Sequence, residues 1–250
     1  MNIIVSGWPA AGATTLSLLL AQLLDYKYLY GGGVMKFLSS KVVGVDSGPK
    51  FIEFERYFGP YFDAIWDKYA VWKVQHSSHL ILDGKAGGFF VEAENVFEIM
   101  VIASQHTREQ RADTDLRILG SETLATRDQQ IRSRWLSTYN IDIYDPVQIQ
   151  LNYDLVLDTT NMSVEEELQR VLNYLEEDYR YPHTDLSWAR SKIPELLALY
   201  KDEGKGAIWK LLEAKDSVYK HEIIFKEWKH QFAPEVKRFP PQIAQVIEAA

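Results

Sequence analysis

The chain has no cysteine, so neither a disulfide framework nor a thiolate metal site is open to it. It has no run of about eighteen apolar residues, which argues against a membrane span. The opening Met1 to Gly12 lacks a basic n-region, and its apolar part reads as a core strand rather than a secretory signal, so the expected location is the cytoplasm. Positive charge is scarce over most of the length: residues 1–185 hold 16 Lys and Arg against 26 Asp and Glu, a net of −10. A surface of that sign argues against extended nucleic-acid binding by this part. Residues 186–250 differ, with 11 against 9, a net of +2.

What is present is an ordinary globular composition, with 250 residues, 46% of them hydrophobic and 25% charged, enough for one large domain or a domain with an appendage. The most informative stretch is the apolar Asn2–Ser6, then Gly7-Trp8-Pro9-Ala10-Ala11-Gly12-Ala13-Thr14-Thr15, then the helix-like Leu16–Leu20. It fits the phosphate-binding pattern G-x-x-x-x-G-K-[ST] at Gly7, Gly12 and Thr14, with a strand before it and a helix after it, and departs only at Ala13, where the pattern has lysine. In such a loop the successive backbone N–H groups and the helix N-terminus surround an anion, and the hydroxyl of Thr14 faces Mg²⁺. Residues 9–15, with Ala10, Ala11, Gly12, Ala13, Thr14 and Thr15, are the candidate cradle. Ala13 removes the ammonium that would reach the β- and γ-phosphates, a loss expected to slow transfer by several powers of ten unless another cation serves. It reads as a deliberate inactivation, a natural loss leaving a binding protein, or a variant in which another cation serves.

Helix and strand patterns alternate. A helix is expected over about 14–24, a strand at 28–30 ending in a turn at Gly31-Gly32-Gly33, and broken helix over 34–77 around Ser47-Gly48-Pro49. Apolar runs at 78–84, 96–103 and 153–159 read as buried parallel strands, and Ser163 with Glu166 signals the cap of a helix reaching about residue 175. The pattern predicts an α/β fold with a parallel sheet covered on both faces. The aromatics of 40–77, among them Phe51, Phe54, Phe58, Phe62, Trp66 and Tyr69, read as helical core rather than a base-stacking platform.

The order of these segments resembles the P-loop nucleoside monophosphate kinase family, most closely the archaeal-type cytidylate kinases. The resemblance rests on GWPAAGATT, on Tyr28 to Lys36, on LILDGKAGG at 80–88, on the Arg-rich span 108–134, and on YNIDIYD at 139–145 followed by YDLVLDTTNMS at 153–163. It covers residues 1 to about 178. It implies a P-loop NTPase-type domain over 1–180, with an acceptor-side helical insert at about 34–77 and a lid at about 106–138, and ATP and Mg²⁺ as cofactors. By the same resemblance Asp83 serves Mg²⁺ or orients the acceptor, Lys36 and Lys85 hold the acceptor phosphate, and Arg108, Arg111, Arg127, Arg132 and Arg134 are lid cations that neutralise transition-state charge. Arg117 belongs to the same span.

Departures qualify the resemblance. Lys85 stands where the family has arginine, which supplies charge without a bidentate fork. Ile131 replaces an acidic lid residue associated with the cytidine acceptor, which weakens the case for CMP. Residues 186–250 lie outside the resemblance and read as two or three helices, about 186–202, about 205–231 and a short one after Pro240-Pro241. They are expected to pack on the kinase-like body, with Trp188, Trp209 and Trp228 among the packing residues. The mild positive balance leaves recognition of nucleic acid or a partner protein as the other reading. His221, Glu222 and His230 have no metal-ligand spacing, so no metal is expected beyond Mg²⁺. The sequence thus reads as an ATP·Mg²⁺-dependent phosphotransferase acting on a pyrimidine nucleotide or nucleotide-like acceptor. Its alternatives are a non-catalytic nucleotide-binding protein and a kinase acting on a hydroxymethylated base in DNA.

Overall fold

Strand β1, Asn2–Gly7, places Ile3 and Val5 in one core and Ile4 in another, because successive side chains of a strand point to opposite faces. All three are fully buried, each contributing roughly 1.5–3 kcal/mol relative to exposure. The structure is a computed structural model and describes residues 1–85, 87–91, 93–113, 123–177 and 185–249; Arg117 lies outside these.

Four further strands complete a parallel sheet with β1: β2 (Lys27–Tyr30), β3 (Leu80–Asp83), β4 (Val96–Ile102) and β5 (Leu155–Asp158), in the order β2-β3-β1-β4-β5, so that β3 and β4 flank β1. The register sets Val5 beside Asp83 and Ile99, and Tyr30 beside Asp83, so the ends of the central strands meet at one edge of the sheet. Ligands of open parallel sheets bind outside that carboxyl edge.

On one face lie α1 (Ala13–Leu24) and α7 (Val164–Glu177), whose Leu16, Leu19, Leu168 and Leu172 share a core with Ile3, Val5, Ile99 and Val101. The expected cap of α7 is present: the Ser163 hydroxyl accepts from the Glu166 N–H at 3.2 Å and the Glu166 carboxylate accepts from the Ser163 N–H at 2.7 Å. The other face is covered by α2 (Gly31–Val43) and α3 (Gly48–Gln75), and the aromatics Phe51, Phe54, Phe58, Phe62, Trp66 and Tyr69 are buried in that second core, as the packing reading expects. Between β4 and β5 come α4 (Gln105–Asp113), α5 (Leu124–Tyr139), capped by Thr123, and α6 (Pro146–Asn152), capped by Asp145.

Two expectations are corrected. Gly31-Gly32-Gly33 is not a turn but the first turn of α2. A Cβ on Gly31 would stand 2.6 Å from the Trp66 ring and one on Gly32 2.5 Å from the Tyr30 hydroxyl, so glycine is required by close packing rather than by chain reversal. The helix expected over 205–231 is two, α9 (Lys205–Ala214) and α10 (His221–Gln231), because Asp216 takes a left-handed φ of 53° and the chain then joins the sheet edge. There Tyr28 N–H donates to Ser217 at 2.7 Å and Tyr219 N–H to Tyr28 at 3.0 Å.

The C-terminal segment wraps this edge. Helices α8 (Ser187–Glu203) and α9 bury Leu196, Leu197, Ile208 and Leu212 in the α1 core. Helix α10, the short α11 (Ala233–Val236) and α12 (Pro241–Glu248) bury Ile224, Phe225, Trp228, Ile243 and Ile247 in the α2–α3 core. Most of the apolar residues read as packing faces of this segment therefore lie inside. Among the three tryptophans only Trp188 is exposed, and Lys192 lies over its ring at 4.7 Å.

Candidate active site

The loop after β1 is shaped by two backbone angles, a φ of 59° at Ala10 and of 110° at Gly12, both in the left-handed region where backbone N–H groups turn inward to form an anion-binding concavity. Gly7 lets the loop curl back on itself: a Cβ there would come within 2.7 Å of the Ala13 Cβ and 3.0 Å of the Val101 carbonyl. The first intrahelical bond of α1 runs from Leu16 N–H to the Gly12 carbonyl at 3.0 Å. The N–H groups of Ala13, Thr14 and Thr15 precede it and point out of the helix end. The expected cradle over 9–15 loses two members. Pro9 has no N–H, and the Ala11 N–H donates to the Trp8 carbonyl at 3.0 Å, leaving Ala11 fully buried.

This loop opens into a cavity of about 690 Å³ lined also by Lys36, Asp83, Lys85, Arg111, Arg127 and Arg134. Asp83 ends β3 and accepts from the buried Tyr28 hydroxyl at 2.8 Å, which fixes its carboxylate in the wall of the cavity that Thr14 also lines.

The expected lid arginines divide. Arg108, only 4% exposed, pairs with both carboxylate oxygens of Asp128 at 3.0 and 2.7 Å, donates to the Pro9 carbonyl at 3.2 Å, and lies over the Trp8 ring at 5.4 Å. It does not line the cavity; it is a strut between the loop and α5, a correction to its expected phosphate contact. Arg132 is likewise turned away, held bidentately by Asp142 on the exposed side. Arg111 lines the cavity, but its guanidinium donates to the Ala11 carbonyl at 2.9 Å and to Thr159 through both Nη atoms at 2.9 Å, so it braces the loop from behind. Arg127 and Arg134 do face the cavity, pairing with Glu55 at 3.2 Å and Asp63 at 2.9 Å. Gly59 makes room for the second pair, since a Cβ there would stand 2.6 Å from Arg134 Nη1.

Glu55, Asp63 and Asp67 were not among the residues read from the sequence. They fall eight and four positions apart on α3, one face of the helix, and all three line the cavity. Burial would raise Glu55, but the charges of Lys85, Arg127 and Arg134 outweigh it and hold the carboxyl below its ordinary value. Burial keeps Asp63 raised despite Arg134, and burial together with the neighbouring Asp63 pushes Asp67 up to about 7, although the Tyr139 hydroxyl donates to it at 2.6 Å. Desolvation at the cavity pulls Lys85 below the usual lysine range although its side chain is partly exposed, with Glu55 opposing at 3.6 Å. Beside this charged cluster Ile131, Trp135 and Ile143 form a small apolar wall, so the position where the resemblance expects a carboxylate is core.

The loop end of the cavity carries a fourth carboxylate that the sequence did not single out. Glu167 of α7 is 3% exposed, and its Oε2 lies 4.0 Å from where a Gly12 Cβ would be. Burial pushes it up to about 7, with Arg111 opposing. Met162 and Val164 line the same cavity, together with Tyr200 and Lys205 of the C-terminal segment. Among the described residues no group of three or more His, Cys, Asp or Glu is placed to hold a metal ion, and no helix is long and apolar enough to cross a membrane.

No family model matches the chain. Among curated proteins it is similar to the cytidylate kinase of Pyrobaculum aerophilum, 31% identical over 177 residues, covering 69% of this chain and 91% of that protein. It is similar to the cytidylate kinase of Pyrobaculum islandicum at 29% identity, with the same shares covered, and to that of Archaeoglobus fulgidus at 26%, covering 70% and 95%. Among solved structures, a shikimate kinase from Bacteroides thetaiotaomicron aligns with 70% of this chain and 98% of its own at 13% identity and a TM-score of 0.48, too distant to bear on the site.

Proposed function

Since the chain belongs to the P-loop nucleoside monophosphate kinase family, we propose that it transfers the γ-phosphoryl group of ATP to a nucleotide or nucleotide-like acceptor, with pyrimidine nucleotides the first candidates. The observation that carries this reading is that the amide cradle at Gly12–Thr15 and the cationic cluster of Lys36, Lys85, Arg127 and Arg134 open into one cavity, the arrangement that in-line transfer between two bound phosphates needs.

The backbone N–H groups of Ala10, Gly12, Ala13, Thr14 and Thr15 bind the donor phosphates, and Arg111 keeps the loop in that shape from behind. At the other end Lys85, Arg127 and Arg134 exchange Glu55 and Asp63 for the acceptor phosphate, so binding trades one set of charge-assisted bonds for another. Lys36 holds the acceptor from the α2 side. The Ile131–Trp135–Ile143 wall and Trp66 suit the flat face of a base, while Asp63 and Asp67 suit hydrogen-bond donors on its edge or sugar. The Thr14 hydroxyl and the Asp83 carboxylate are hard oxygen donors in the same wall, a fit to Mg²⁺, which takes one or two protein oxygens and fills its shell with water and phosphate. When bound there, the ion offsets charge on the phosphates.

The test is transfer of labelled γ-phosphate from ATP to a panel of CMP, UMP, dCMP and dTMP by the full chain. Label on one acceptor above the others supports the reading and names the substrate. ATP binding with no labelled acceptor contradicts it and leaves a protein that binds nucleotide without turnover.

A further inference from the structure

Ala13 leaves the loop without an ammonium. Arg111 braces the Ala11 carbonyl and Thr159, Arg127 and Lys85 meet Glu55, and Arg134 meets Asp63. One cation at the cavity comes from outside the segments that carry the family motifs. Lys205, exposed at the start of α9, lines the same cavity as Gly12, Ala13, Thr14 and Thr15.

Its position is built rather than incidental. Residues 217–219 pair in parallel with β2, so α9, which leads into them, runs back against the strands and begins at the carboxyl edge of the sheet. Ile208 and Leu212 are buried in the core that includes Leu16, Leu19 and Leu20 of α1, which anchors α9 against the helix that the phosphate loop starts. Trp209, one turn after Lys205, meets the rings of Tyr28 and Tyr30 edge-on at 5.8 and 6.5 Å, and Tyr28 in turn holds Asp83. A lysine in the first turn sits at the positive end of its own helix, where it does not favour the helix.

We propose that Lys205 supplies the phosphate-binding cation that the loop lacks, which makes the C-terminal segment part of the nucleotide site. This rests on the nucleotide reading of the cavity given above. A lysine is suited to the role, because its ammonium is a point charge on a flexible four-carbon stem that adjusts to phosphate without a fixed fork. The segment is also one that the relatives are too short to share: the match to the Pyrobaculum aerophilum protein uses 91% of that protein but 69% of this chain. A missing cation in the loop and an added segment that brings one to the same cavity are complementary changes.

The experiment is an equilibrium titration of the full chain with a fluorescent ATP analogue in the presence of Mg²⁺, comparing the unaltered chain with Lys205→Ala, Lys205→Arg, Lys210→Ala and the double variant Lys205→Ala/Ala13→Lys. Lys205→Ala is expected to weaken binding by about tenfold or more, the scale of a charge-assisted phosphate contact. Lys205→Arg should keep most of the affinity, and Lys210→Ala, on the same helix outside the cavity wall, should change nothing. Restoring the loop lysine should recover the loss in the Lys205→Ala chain and add little to the unaltered one, the non-additivity expected of two cations serving one anion. Binding by Lys205→Ala within twofold of the unaltered chain, or an equal gain from Ala13→Lys in both backgrounds, would overturn the proposal while leaving the nucleotide site intact. Absence of binding by the unaltered chain would overturn the nucleotide site and this inference together. Lys205→Met, which keeps the aliphatic stem, replaces the alanine variant if that chain does not fold.

Discussion

At the donor end of the cavity the chemistry is held by backbone: Ala10 and Gly12 take left-handed φ angles of 59° and 110°, and α1 begins where they stop. At the acceptor end it is held by side chains, with Lys85, Arg127 and Arg134 drawn toward Glu55 and Asp63 across the gap between α3 and α5. The two ends therefore respond differently to substitution. A backbone cradle survives the loss of its lysine because the N–H groups remain. A side-chain network changes with each carboxylate removed, because every member shifts the charge balance of the others.

The largest effect is expected at the strut that ties the two ends together. Asp128→Ala leaves Arg108 buried without its bidentate partner and also removes the acceptor of the Tyr144 hydroxyl, which stands at 2.8 Å. Breaking such a buried pair costs roughly 3–5 kcal/mol. Urea unfolding should register it; a cost below about 1 kcal/mol would mean that the strut does not join the loop to α5.

At the acceptor end Glu55→Gln releases Lys85 and Arg127 from their shared carboxylate. Affinity for CMP, measured by calorimetry, should rise about tenfold, the scale of a charge-assisted contact freed for the ligand. Unchanged or weaker binding would show that these cations do not meet the acceptor phosphate.

The buried carboxylates give pH dependences of opposite interest. Folded Asp67 keeps its proton up to about pH 7, whereas its ordinary value is 3.8, so the native state binds more protons in that window and stability falls as the pH rises through it. Asp67→Asn should flatten the slope of unfolding free energy between those limits; an unaltered slope would count against a buried, protonated Asp67. At the donor end Glu167, pushed up to about 7, gains its charge beside the phosphate loop as the pH rises past that value. ATP affinity should then decline modestly with rising pH, and Glu167→Gln should remove the decline. A titration in which the variant and the unaltered chain track one another would place Glu167 outside the donor site.

The same contrast explains what was legible in the sequence. Gly7 and Gly12 encode their conformation locally, so the loop, its strand and its helix could be read from residues 2–20, and the α/β order of the remaining strands followed from apolar runs and caps. The acceptor network was hidden because Glu55, Asp63 and Asp67 share a helix face that looks like an ordinary solvated stripe until α5 closes over it. Arg108 and Arg132 were misplaced for the related reason that an arginine-rich span does not say which members turn toward a ligand and which toward Asp128 or Asp142. The glycine run at 31–33 looked like a turn because Trp66, whose ring excludes any side chain at Gly31, lies 35 positions away. Lys205 had no local signal at all. Only the pairing of residues 217–219 with β2 brings the start of α9 to the cavity.

The central claim is that left-handed backbone at the donor end binds the phosphates of ATP although the loop lysine is gone. The most direct measurement is Mg²⁺·ATP affinity of the full chain beside Gly12→Ala, whose added Cβ is strained at a φ of 110°. Such strain costs of order 1–3 kcal/mol, so the account predicts binding by the unaltered chain and affinity lower by roughly ten- to a hundredfold in the variant, with the fold retained. Equal affinity in the two proteins, or none in either, would contradict it.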